Sequence, residues 1–313
     1  MTIRHAALAL LLAVMCVPLA AQKPYEAAIA GPHGGCFFEP FRATVDWIGP
    51  SGPIAESQGA TVAAAPGGRV FAAGLSDDVP GAFEVHEVGL GGFSRSVSQP
   101  VPGSENPDAL VVDANGNLYV LASNTIYALT AAGVLRAAYP SGTSFATSMD
   151  LAADQCTMFI VDGTVVRRFN VCTGTPLPVF GPVANDYYGV RMLPDGGVLL
   201  SRDNAIDRYT PGGALMRTYA VSGQPSAMGL ANGGNSLLLT RFCIFELLEM
   251  DLGTGATTTI APTGNSNPSS IVPYFGWSAV LGSFHNAGVP TVSQLMLVAL
   301  GFLLASFAIF RMR

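Results

Sequence analysis

Charge is scarce in this sequence: 12% of its 313 residues are charged, with 15 basic side chains against 21 acidic ones. No basic stripe is present to neutralise a row of phosphates, which excludes a nucleic-acid partner. Histidine is scarcer still, with only His5, His33, His86 and His285 and none between 87 and 284. A His-dependent lyase or hydrolase needs an imidazole where its substrate is held, and the interior of the chain supplies none. The G-x-S-x-G elbow, the phosphate-binding glycine loop and H-E-x-x-H are all missing. The abundant features are 36 glycines, 22 prolines and a 50% hydrophobic content, a composition of short strands and many turns.

Part of the apolar excess sits at the two ends. Residues 1–21 begin with Arg4, continue through an apolar run from Ala6 to Val17, and break at Pro18 before Ala20 and Ala21. That order is a secretory signal peptide, cleaved near Ala20 or Ala21. At the other end, Thr291 to Phe310 is an uncharged stretch of 20 residues followed by Arg311 and Arg313. As a helix it matches a bilayer's hydrocarbon thickness of about 30 Å. The basic stub stays cytoplasmic, which places residues 22–290 outside the cytoplasm. Without Arg4, Arg311 and Arg313, the exported part carries 12 basic against 21 acidic residues, a net of −9.

Val289, Pro290, Thr291, Val292 and Ser293, then an apolar helix, then Arg311 and Arg313, resemble the IPTL-CTERM protein-sorting signal of Gram-negative bacteria. The resemblance covers residues 289–313 and implies processing by an exosortase-type membrane enzyme at the cell envelope. The chain departs from that pattern at Leu295 and Met296, where the family carries Trp-Gly, and has Val in place of Ile and Leu. A plain C-terminal anchor is the alternative.

The interior repeats. "LVVDANGNLYVLAS" at 110 is two apolar runs around an Asn-Gly turn, and hairpins of this kind recur through "TVAAAPGGRVFAAG", "LAADQCTMFIVDG", "VRMLPDGGVLLSR" and "MGLANGGNSLLLTR". A second hairpin follows each, with turn glycines at Gly92, Gly133, Gly174, Gly213 and Gly255. The unit is four strands and about 40 residues, which is the blade of a β-propeller. Each blade has two apolar faces, so blades must stack around an axis to bury them.

The pattern predicts an all-β, six-bladed propeller of four-stranded antiparallel blades over residues 36–284, plus the C-terminal transmembrane helix. Residues 22–35 read as an N-terminal linker, and 285–290 as a short linker to the membrane. The sixth blade is composite. An outer hairpin, "ATVDWIGPSGPIAES", joins an inner hairpin near 270–284, a velcro closure that removes two exposed edges. Trp47 and Trp277 fall in this blade on neighbouring strands. "NPDALVVDANGNLYV" and "QPSAMGLANGGNSLLL" resemble NHL-type six-bladed repeats, which implies a fold and leaves function open.

Cys16 leaves with the signal peptide, so four cysteines remain in an oxidising compartment, and three pairings are possible. Cys156 and Cys172 lie in two turns at one end of the same blade, and Cys36 and Cys243 at the opposite end of neighbouring blades. Those two disulfides are the favoured pairing, with free buried thiols as the alternative. Asp108 and Asp150 sit near the starts of innermost strands, with Ser226 and Asn267 at comparable places. Either they offer oxygen ligands to calcium or another divalent cation, as in lactonase-like propellers, or they cap loops. Capping is the simpler reading, and it implies no cofactor. Asp113 and Asp195 are turn formers, and the three exported histidines are surface residues. The expectation is an exported, envelope-anchored binding module without catalysis, engaging an envelope protein or glycan through one end of the ring. A divalent-metal-dependent hydrolase or lactonase is the runner-up.

Overall fold

The computed structural model describes residues 26–274 apart from 33–42, 50–51, 59–60, 66–67, 77, 90–92, 103–106, 145, 182–185, 243 and 263–269. Five blades are each built from consecutive antiparallel strands. Blade 1 comprises β4 (Thr61–Ala64), β5 (Val70–Leu75), β6 (Ala82–Gly89) and β7 (Phe93–Ser96), with a short β8 (Val101–Pro102) also paired to β6. Blade 2 is β9 (Pro107–Val112), β10 (Leu118–Ala122), β11 (Thr125–Leu129) and β12 (Leu135–Pro140). Blade 3 is β13 (Ala146–Leu151), β14 (Thr157–Asp162), β15 (Val165–Asn170) and β16 (Thr175–Phe180). Blade 4 is β17 (Tyr187–Met192), β18 (Val198–Arg202), β19 (Ala205–Tyr209) and β20 (Leu215–Ala220). Blade 5 is β21 (Pro225–Ala231), β22 (Ser236–Arg241), β23 (Ile244–Asp251) and β24 (Thr257–Pro262).

The sequence pattern predicts six blades; the structure has five of consecutive strands, and the remaining four-stranded sheet is composite. It takes β1 (Glu26–Pro32), β2 (Ala43–Gly49) and β3 (Gly52–Gln58) from the start of the chain and β25 (Ser270–Tyr274) from its end, in the order β25-β1-β2-β3. The partition therefore differs from the expected two strands and two. β1, which falls within the stretch read as a linker, pairs β25 from Glu26↔Tyr274 to Ala30↔Ser270 and takes the place of the second strand expected near 279. An antiparallel ladder has no preference for where in the chain a partner comes from, and β1 pairs with β2 on its other edge. β25 sits between β21 and β4, the innermost strands of the last and first blades. Trp47 is on β2, and Trp277 lies outside the described residues.

Each central strand is apolar on both faces because each face meets a different blade. Along β10 all five residues are buried, and the period-two alternation divides them between two slabs of core. Leu118, Val120 and Ala122 join Phe71, Phe83 and Val85 of blade 1, whereas Tyr119 and Leu121 join Met158, Ile160 and Phe169 of blade 3. The pattern repeats between blades 3 and 4 and between blades 4 and 5. Burying one Leu or Phe contributes about 1.5–3 kcal/mol, so the blades hold one another rather than standing alone. Aromatic pairs cross three of the seams: Phe83–Tyr127 at 5.2 Å, Tyr139–Phe169 at 5.5 Å and Phe180–Tyr209 at 6.1 Å.

The ring has two ends. All innermost strands start at the end we term the mouth and finish at the base, where the turns between first and second strands lie. Gly133, Gly174, Gly213 and Gly255 close the outer turns at the base with φ of 76°, 69°, 86° and 85°. A Cβ on Gly133 would stand 2.1 Å from the Val97 carbonyl oxygen, and one on Gly174 would stand 2.9 Å from the Tyr139 ring. These turns therefore lean on the preceding blade, which is why glycine recurs there. Among the described residues the only helical element is a 3-10 turn at Asn232–Gly234, and no helix is long and apolar enough to cross a membrane. The expected span 291–310 lies outside those residues.

Candidate binding site

The innermost strands of blades 2 to 5 share a β-bulge near their first residues. The pairing shifts register between Pro107 and Ala109, Ala146 and Ser148, Tyr187 and Gly189, and Pro225 and Ala227. The extra residues are Asp108, Thr147, Tyr188 and Ser226. A bulge re-aims the side chain it carries, and here it does so four times at the mouth of the channel. The Tyr188 hydroxyl hydrogen-bonds Asp203 and Gln224 close to Asp186, and burial with the Asp203 bond pushes the phenol above its ordinary range. The Ser226 hydroxyl lies 3.3 Å from that of Thr240. Thr147 Oγ1 is buried without a hydrogen-bond partner. Asp108 is exposed.

Three residues further along, a second tier crosses the channel. Asp150, Arg191 and Val111 hold equivalent places, each two residues before the one that closes its turn, Ala152, Leu193 and Asp113. Asp150 Oδ2 accepts the Met192 N–H at 2.7 Å and Oδ1 the Leu151 N–H at 2.8 Å. Arg191 donates to the Met228 carbonyl at 2.5 Å, to Val190 at 3.0 Å and to Met149 at 3.4 Å. Ser148 Oγ accepts the Val190 N–H at 3.3 Å. The free edges of β13, β17 and β21 are thus cross-braced by side chains. Burial pushes the Asp150 carboxyl up from the usual aspartate range, against the opposing pull of Arg191 and the two backbone N–H groups.

The two aspartates picked out in the sequence therefore do not meet in one tier. Ser226 shares the tier of Asp108, but Asp150 belongs to the deeper one: the bulged residue of β13 equivalent to Asp108 is Thr147, three places before Asp150. Among the described residues no group of three or more His, Cys, Asp or Glu could hold a metal ion. Each Asp150 oxygen accepts one backbone N–H, which braces β13 against β17. Asp113 and Asp195 close their own turns, Asp113 Oδ1 accepting from Asn115 and Asn117 and Asp195 Oδ1 from Gly197, all at 2.8 Å. His86 lies on β6, its Nε2 3.7 Å from Glu84 Oε2, and His33 and His285 lie outside the described residues.

Cys156 and Cys172 form a disulfide joining two base turns of blade 3, with 5.2 Å between their Cα atoms. Cys36, Cys243, Asn267 and the sorting-motif residues Val289 to Ser293, Arg311 and Arg313 lie outside the described residues. Sequence reasoning missed Thr147 and Tyr188, although one repeat length forward from Asp108 reaches the first and two reach the second. It also missed a recurrent ion pair beside the mouth. Asp162–Arg167, Arg202–Asp207 and Arg241–Glu246 each meet at 2.7 Å across a turn, and each pair is five residues apart. Opposite charges at that spacing in "DGTVVR", "RDNAID" and "RFCIFE" were the available signal.

No family model and no curated protein matches the chain. Among solved structures 1259 chains match, a breadth that identifies architecture and not activity. The chain is a β-propeller. It is similar to a chain from a nidogen/laminin complex, with a TM-score of 0.60 at 13% identity over 80% of this chain and 98% of that one. A protein of unknown function from Bacteroides caccae matches with a TM-score of 0.60 at 11% identity, covering 80% and 99%. A streptogramin B lyase matches with a TM-score of 0.50 at 16% identity, covering 67% of this chain and 71% of the lyase. Identities this low establish the fold alone.

Proposed function

We propose that this propeller is an exported, envelope-anchored binding module without catalysis, whose partner seats across the mouth of the ring. The observation that carries this reading is the tier of bulged residues. Asp108, Tyr188 and Ser226 bring a carboxylate, a phenol and a hydroxyl to one opening, with the Thr147 hydroxyl buried in the same tier, and Gln224 and Asp203 flank the phenol. These groups hydrogen-bond a polar protein loop or the hydroxyls of a glycan, and the Tyr188 ring offers an apolar face beside them. One chain with this fold comes from a nidogen/laminin complex, so the architecture occurs in a protein–protein assembly. The tail at 289–313 supports delivery to the envelope, by an exosortase-type enzyme or as a plain anchor.

The test is binding of the full chain to arrayed envelope glycans and to separated envelope proteins, wild type against Tyr188→Ala and Thr147→Val. At least tenfold weaker binding by Tyr188→Ala is expected. Undiminished affinity in both variants overturns the mouth as the site. A hydrolase built on Asp108 and Asp150 predicts instead a calcium-dependent rise in Tm that disappears in Asp150→Ala.

A further inference from the structure

The rim of the ring is formed by β3, β7, β12, β16, β20 and β24, and each has one edge without a paired strand among the described residues. A free edge is a template for another strand, and proline removes the donors that such a strand would use. Pro53 lies on β3, Pro140 on β12, Pro176 and Pro178 on β16, and Pro262 on β24. β7 is only four residues long, and its Arg95 is held by Glu87 at 2.6 Å. β20 has six residues, LMRTYA, and none of these devices. Its one charge, Arg217, is turned onto blade 5. There it donates to the Gly253 and Thr254 carbonyls, with its guanidinium 4.7 Å from the Tyr219 ring centroid.

The ladder decides which groups β20 leaves free. The Val221 N–H donates to the Asn204 carbonyl, and Tyr219 and Arg217 face Ile206 and Arg208 in the same register. Alternate residues of an antiparallel ladder turn inward, so Thr218 and Ala220 turn their N–H and C=O groups to the open side. Every residue of the strand except Tyr219 is exposed, with Leu215 at 57% and Met216 at 59%.

We infer that β20 is a dimerisation strand whose partner is β20 of a second copy, joined antiparallel about a two-fold axis through Tyr219. In that register Thr218 and Ala220 of each copy exchange backbone bonds with Ala220 and Thr218 of the other, so each of their outward donors and acceptors finds a partner. A slip of one residue sets them against groups already bonded to β19. Arg217 falls opposite Val221 of the second copy, so like charges do not meet directly across the join. An edge complementary to itself selects a second copy over a foreign strand. β20 runs from base to mouth, so the join turns the two mouths to opposite sides and leaves both open. Sixteen residues separate Tyr274 from Thr291, at most about 55 Å extended, against roughly 20 Å for β20. Opposed mouths are therefore compatible with two tails in one bilayer.

The experiment is sedimentation of the full chain in detergent, wild type against Ala220→Pro. Ala220 holds in β20 the place that Pro140 holds in β12, and its N–H points away from β19, so the ring tolerates the change. The wild type is expected to sediment as a dimer, and Ala220→Pro to associate at least tenfold more weakly with unchanged circular dichroism. A monomeric wild type, or a dimer that persists in the folded variant, overturns the join. A second measurement does not depend on the proline. Thr218→Cys combined with Ala220→Cys sets thiols directly opposite across the axis, and mild air oxidation is expected to give a covalent dimer on non-reducing gels. Arg136→Cys combined with Ala138→Cys, at the same spacing on β12, is expected to stay monomeric. Equal cross-linking in both pairs, or none in the first, overturns the assignment of β20.

Discussion

Single residues divide into those that turn the chain and those that brace the blades. Gly133 and Gly68 share positive φ, 76° and 79°, but a Cβ on Gly68 meets nothing within 4 Å whereas one on Gly133 collides with the Val97 carbonyl. Gly68→Ala is expected to cost about 1 kcal/mol for its backbone, and Gly133→Ala about 2–4 kcal/mol, read as the difference in urea midpoints. Asp150 makes a prediction of opposite sign from the usual acid. Its folded-state carboxyl is raised, so its protonated form favours the fold; that contribution is present below the unfolded value of about 4 and is lost as pH rises through the higher folded value. Lowering the pH from 7.5 to 5 is expected to raise the wild-type Tm relative to Asp150→Asn, and parallel Tm curves in the two proteins refute it. Asp108 and Asp150 were visible in the sequence as acids near strand starts. Their separation into two tiers was not, because the repeats vary in length by about as many residues as the three that part Thr147, the true equivalent of Asp108, from Asp150.

At the scale of elements, the turns and the seams carry the stability. The base of blade 3 is tied twice, by the Cys156–Cys172 bond and by Asp154, whose Oδ1 accepts from Cys156 and Thr157. With the cysteines 16 positions apart, removing both by alanine is expected to cost about 2–3 kcal/mol, measured by denaturant unfolding under oxidising conditions. Asp195 has burial acting to raise it, yet the Gly197 N–H and Arg208 hold it below the ordinary range, and the bond from Arg69 lowers Glu87 against the cost of burial. Both acids contribute stability above pH about 4 that is lost as pH falls through their depressed folded values. Glu87→Gln is therefore expected to flatten the fall in Tm between pH 4.5 and 3. Arg217 grips the neighbouring blade through the Gly253 and Thr254 carbonyls, a bond across a seam that strand pattern alone does not reveal. Hairpins were legible because their turn chemistry is local. Contacts between blades were not, since each joins residues about one repeat apart.

For the whole molecule, closure is the controlling fact. β25 is the innermost strand of the composite sheet and pairs with β1 alone. A chain ending before Ser270 loses that strand and opens a gap between β21 and β4, whereas one ending after residue 284 keeps every described strand. The first is expected to lose its single cooperative transition and show a lower m-value in urea, followed by tyrosine fluorescence and circular dichroism together. Coincident, unchanged transitions would mean that the ring does not depend on the join.

What the amino-acid order determined by itself was the unit: an alternation of period two, turns rich in Gly, Asn and Asp, and recurrence at about 40 residues, all of which act over a few neighbours. It also carried the two disulfide partners of blade 3, because their turns flank one sheet. Only the tertiary structure decided which strands seal the ring, where the bulges aim Tyr188 and Thr147, and that Arg191 braces three blades at once. Those outcomes depend on backbone edges meeting across the axis, and a free edge accepts any strand or side chain of suitable hydrogen-bonding geometry that topology brings to it.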